Sequence, residues 1–139
     1  MVLLRLDIPF NYSILTLNYL AWTEEGLEQH ATWIKQGELN GLYGRDVMNR
    51  IRYLADKYVN VEGKHILVIG SILPWIESLL LTMDVGHITT LEYDPYPSTH
   101  PRVSSISPPD FAELVRSNQA PKFDAMISFS SLEHSGLGR

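Results

Sequence analysis

The chain has 139 residues, 45% of them hydrophobic, with a formal net charge of −5. That length and composition fit one globular domain, and an acidic chain without a basic cluster gives no electrostatic case for binding nucleic acid or an anionic membrane. Cysteine is absent, which excludes disulfides, thiolate metal sites and cysteine nucleophiles and slightly favours a reducing compartment such as the cytoplasm.

The first residues are apolar, but Arg5, Asp7, Pro9 and Asn11 interrupt them well short of the roughly 20 apolar residues a membrane span needs. They also lack the arrangement of a signal peptide. Asn11-Tyr12-Ser13 matches a glycosylation acceptor, a triplet that arises often by chance. No membrane span is expected in this segment.

The chain divides into a helical extension over residues 1–60 and an α/β part over 61–139. Thr23 is a candidate cap, followed by Glu24 and Glu25 where the helix dipole favours acids. Leu27, Ala31 and Ile34 then recur at helical spacing, until Gly37 and Asn40-Gly41 signal a turn. A second helix is predicted over Asp46 to Tyr58, with Val47, Ile51, Leu54 and Tyr58 on its apolar face.

The back part reads strand, helix, strand, strand, helix, strand. His65 to Ile69 is a short apolar run of the kind buried on both faces of a parallel sheet. A helix from Pro74 to Met83 follows, with Pro74 in its first turn and Ile76, Leu79, Leu80 and Met83 as its buried stripe. His87 to Tyr93 and Arg102 to Ile106 read as strands, Pro109 to Arg116 as a helix and Phe123 to Phe129 as a fourth strand. This alternation predicts an α/β fold with a Rossmann-like, doubly wound parallel sheet. The first strand is expected between the second and the fourth.

Ligands of such sheets sit beyond the carboxyl ends of the strands. Three features fall there. The turn Gly70-Ser71 opens a helix, whose unpaired N–H groups could meet an anion or carboxylate; the ordinary alternative is a plain βα turn. Glu92 lies 22 positions after Gly70, about the offset at which an acid accepts hydrogen bonds from a ribose diol; the alternative is a solvated strand-end acid, and Asp94 is a substitute in the same place. Last, Ser130-Ser131-Leu132-Glu133-His134 ends the fourth strand. Glu133 and His134 could act as acid or base, His134 titrating near neutrality, or could cap a helix or touch a ligand. Asp110 could approach an adenine ring, though an acid in a first helical turn needs no ligand to explain it. Trp22, Trp33 and Trp75 read as packing residues. The histidines at 30, 65, 87, 100 and 134 show no metal-ligand spacing.

Gly70-Ser71, Pro74-Trp75, Thr90-Leu91-Glu92-Tyr93 and the final run Ser130 to Arg139 resemble the family named domain of unknown function 268, over roughly Gly41 to Arg139. More widely, Phe123-Asp124 opening the fourth strand and Leu132-Glu133-His134 closing it resemble Rossmann-like S-adenosylmethionine-dependent methyltransferases. The resemblance implies S-adenosylmethionine across the strand ends, held by Gly70, Ser71, Glu92, Tyr93, Asp110 and Ser130. Gly70 and Ser71 would flank its methionyl part and Glu92 its ribose, with Ser130 and Glu133 near the sulfonium and an acceptor of unknown identity. Glu133 and His134 are the candidate catalytic pair. Val68 stands where such enzymes carry an acid, and Ile72 and Pro74 where they carry glycines. Those departures favour the alternative of a non-catalytic binding or assembly domain. Dinucleotide oxidoreduction ranks third, for want of its glycine fingerprint.

A methyltransferase sheet has seven strands, and four are predicted here. The expectation is an inactive N-terminal fragment of a larger enzyme. Its Phe123–Phe129 strand would be an open apolar edge that associates or hides under the N-terminal helices.

Overall fold

The structure, a computed structural model, describes residues 20–129. Helix α1 (Glu24–Gln36) starts where the cap signal places it: the Thr23 hydroxyl accepts from the Gly26 N–H at 3.1 Å. Leu27, Ala31 and Ile34 are its buried residues, and Gly37 closes it. Helix α2 (Arg45–Leu54) runs into a π-helical turn (Ala55–Val59).

The buried face of α2 differs from the expected one. Met48 and Ala55 are buried, while Leu54 and Tyr58 are 51% and 70% exposed. The packed residues are Val47, Met48, Ile51, Ala55 and Val59, a stripe rotated from the predicted one but sharing Val47 and Ile51. Both stripes have helical spacing and both are apolar. The face that joins the core carries the small side chain of Ala55.

Strands β1 (His65–Ile69), β2 (His87–Leu91), β3 (Val103–Ile106) and β4 (Ala125–Ser128) form one sheet in the order β3-β2-β1-β4, every pairing parallel. The first strand thus lies between the second and fourth, as the fold class requires. The register aligns His65 with His87, Ile66 with Ala125, and Ile88 with Val103. Helices α3 (Trp75–Leu81) and α4 (Pro108–Arg116) make the crossovers.

Alternation along the strands splits the sheet into two faces. Ile66, Val68, Ile88 and Val103 join the core with residues of α1, α2 and α3. The row Met126, Leu67, Thr89 and Ser104 falls on the other face. Ala125 and Ile127 of the last strand and Phe129 just after it pack partly against the core, whereas Met126 is 58% exposed.

Several elements are shorter than predicted, and β2 ends at Leu91 rather than Tyr93. Pro74 is the cap of α3 rather than part of it, and Leu81 is its last residue. Strand β4 begins only at Ala125. The Asp124 carboxylate accepts from the His65 N–H at 2.8 Å, while the Asp124 N–H donates to His65 O at 2.9 Å. A side chain therefore takes the place of a ladder bond. Among the described residues no helix is long and apolar enough to cross a membrane.

Candidate functional site at the carboxyl ends of the strands

The site begins where β1 leaves the sheet. Gly70 adopts φ +72°, a left-handed conformation that other residues reach only with strain. It turns the chain out while its N–H still donates to Leu91 O at 3.0 Å. The next N–H, of Ser71, donates to Oε2 of Glu92 at 3.0 Å. Glu92 is itself held in register, because its N–H donates to Ile106 O of β3 at 3.1 Å. Its second carboxylate oxygen, Oε1, accepts from the Tyr93 N–H at 2.7 Å. Residues 21 apart in sequence are thus brought into one hydrogen bond at the mouth of the sheet.

This geometry changes the reading of the turn as an anion cradle. The N–H groups of Gly70 and Ser71 both have partners within the chain. The charge presented at this corner is the half-buried carboxylate of Glu92. A carboxylate that accepts two backbone hydrogen bonds keeps lone pairs for a hydroxyl donor. The corner can therefore receive a diol or another donor.

The rest of the turn is held from two sides. The Trp22 indole N–H donates to Ile72 O at 3.1 Å. Pro74, at φ −79° and ψ 52°, makes a three-residue inverse turn in which the Trp75 N–H donates to Leu73 O at 2.8 Å. Trp22 and Trp75 are buried and Trp33 half-buried, as packing residues should be. Ile72 is 62% exposed, and Tyr93 is 69% exposed beside Glu92.

Beneath the turn lies a residue that sequence reasoning missed. Glu77, in the first turn of α3, is 0% exposed. Its Oε2 lies 2.9 Å from Ser71 Oγ, and its Oε1 accepts from the Thr90 hydroxyl at 2.7 Å. Burial, above all, pushes its carboxyl up to about 7; the hydrogen bonds oppose that shift and the like charge of Glu92 adds to it. The one available signal was a single acid inside the apolar run Trp75-Ile76-Glu77-Ser78-Leu79-Leu80-Leu81.

Asp110 falls in the first turn of α4, just beyond β3, and so belongs to the same end of the sheet. Its carboxylate accepts from the Ser107 hydroxyl at 2.6 Å, and its N–H donates back to Ser107 Oγ at 3.3 Å. Asp110 thus serves a reciprocal helix cap and remains exposed. Strand β4 ends at Ser128, paired with Ile69, so the chain also leaves β4 at this end of the sheet. Ser130, Glu133 and His134 lie outside the described residues. No group of three metal-ligating side chains occurs among the described residues.

The family described as Caenorhabditis protein of unknown function, DUF268, matches residues 63–139. The chain belongs to this family. No curated protein and no solved structure matches it. The DUF268 match opens at Gly63, just before β1, and so takes in the whole sheet, the Gly70 turn and Glu92.

Proposed function

We propose that this DUF268 chain is a domain of the S-adenosylmethionine-dependent methyltransferase type, acting on an acceptor of unknown identity. The observation that carries the reading is the 3.0 Å hydrogen bond from the Ser71 N–H to the Glu92 carboxylate, across the carboxyl ends of two adjacent parallel strands. It sets an acid that can take a ribose diol against a glycine turn where a cofactor chain can pass.

The residues fit such a cofactor in part. Glu92 keeps acceptor capacity for the ribose hydroxyls. Exposed Tyr93 and Asp110 stand at the strand ends where an adenine ring would lie. Gly70 allows close approach to the backbone. When bound, the cofactor supplies an electrophilic methyl group on a cationic sulfonium. The chain's own task is then to hold an acceptor atom in line with that methyl carbon, which is mostly a matter of position. Glu133 or His134 would remove a proton from an acceptor that must lose one.

A second reading, a non-catalytic binding or assembly domain, is favoured by Ile72 and by the inverse turn at Pro74, which stand where glycines would open the loop. Calorimetry separates the two. S-adenosylmethionine should bind, and Glu92→Ala should weaken binding by about 1–3 kcal/mol, the scale of a lost charge-assisted hydrogen bond. No heat of binding, or an affinity unchanged by Glu92→Ala in a folded protein, would overturn the methyltransferase reading.

A further inference from the structure

Glu77 is a fully buried acid with no cation paired to it among the described residues. It sits on a helix whose seven residues are all buried. Its helix belongs to an apolar core to which α1 contributes Leu27, Ala31 and Ile34, α2 contributes Met48, and β1 contributes Ile66 and Val68. Glu92, at the end of β2, is the charged group among the described residues that acts on it, and as a like charge it opposes ionisation. No ion pair reaches Glu77 among the described residues.

The hydrogen atoms can be counted. Ser71 Oγ lies 2.9 Å from Glu77 Oε2 and 3.0 Å from Leu73 O. The hydroxyl has one proton, and Leu73 O can only accept. With Glu77 ionised, one of the two short oxygen–oxygen approaches holds no proton. With a proton on Oε2, Glu77 donates to Ser71, Ser71 donates to Leu73 O, and Thr90 donates to Oε1. Every contact is then a hydrogen bond, and no buried charge is left unpaired.

We propose that protonated Glu77 pins the Gly70–Pro74 turn from beneath, so that its ionisation loosens the loop that carries Ser71 and, through the Ser71 N–H, the position of Glu92. The device is independent of which ligand the strand ends bind. On ionisation the proton passes to water, and Ser71 must choose between Leu73 O and the carboxylate. The site is thus assembled below neutrality and slackens above it.

Glu77→Gln fixes the protonated pattern, since the amide nitrogen donates to Ser71 Oγ and the amide oxygen accepts from Thr90. With an ordinary value of 4.5 and a folded value of about 7, the wild type should lose stability relative to Glu77→Gln as pH rises. The ratio of their unfolding constants should grow by roughly 100-fold between pH 5 and pH 8. Amide exchange at Ser71 and Ile72, compared at the same pH, should be faster in the wild type than in Glu77→Gln above pH 7. A ratio that does not vary with pH, or equal exchange in the two proteins, would overturn the proposal. Should Glu77→Gln not fold, carbon-13 spectra of glutamate carboxyls in the wild type decide the matter. One carboxyl titrating near pH 7, and still present in Glu92→Gln, supports the pin; glutamates that all titrate in the ordinary carboxylate range refute it.

Discussion

Gly86 shows how little room a single position can have. A β-carbon built there would stand 2.3 Å from Gly63 O and 3.1 Å from Lys64 N, both backbone atoms. The Gly86 and His87 N–H groups both donate to Lys64 O, at 2.9 and 3.0 Å, so the two central strands enter the sheet in close contact. Gly86→Ala must push these backbones apart and should cost about 3 kcal/mol, read as a lower urea midpoint with an unchanged slope. His100 is a second case. It is 4% exposed, and its Nδ1 accepts from the Arg102 N–H at 3.0 Å. The ring proton therefore sits on Nε2 and donates to Glu28 Oε1 at 3.0 Å, tying the start of β3 to α1.

Among the elements, α2 and its π turn carry the clearest contrast between pattern and packing. Ala55 is 4% exposed while Tyr58, three residues on, is 70% exposed. Ala55→Leu should overpack the contact with the core and cost about 1–3 kcal/mol, whereas Tyr58→Ser should change stability by less than about 0.5 kcal/mol. Chemical denaturation of the two variants checks both, and equal losses would mean that the apolar stripe of the sequence, not Ala55, faces the core. The side chains that α2 leaves outside have a use of position. Leu54 and Tyr58 line an apolar groove of about 550 Å3 against Met126 and Ile127 of edge strand β4.

At the scale of the whole molecule, pH acts on stability from two directions. Burial lowers the pKa of His30, His65 and His87 below the ordinary 6.5, though Asp124 opposes the shift at His65. The folded state therefore prefers these rings neutral. Their contribution is complete above 6.5 and is lost as pH falls through that value towards the lower folded ones. Glu77 works in the opposite sense, reducing stability as pH rises from 4.5 to about 7. In a Glu77→Gln background the melting temperature should thus fall between pH 7 and pH 5.5. His65→Gln with His87→Gln should reduce that fall, because their rings meet edge to face at 4.9 Å and two cations there would repel. A fall of the same size in both proteins, by calorimetry, would show that these rings do not govern the acid limb.

By itself the sequence determined the strands, their order and the pairing of Gly70 with Glu92. Apolar β-branched runs such as His65–Ile69 are local, and the βα alternation leaves few ways to stack them in one parallel sheet. The offset from Gly70 to Glu92 follows from that geometry, so the meeting of the two at the mouth of the sheet was legible in the sequence. Glu77 was not. A polar residue in a helical pattern is ordinarily assigned to solvent, and only the placement of α3 between the sheet and α1 buries it on every side. The same holds for α2, where two apolar stripes were equally consistent with the spacing. It holds too for the Ser71 N–H, which the sequence offered to a ligand and the fold gives to Glu92. Each of these was settled by what a distant part of the chain brings into contact, and periodicity along a single element carries no record of that contact.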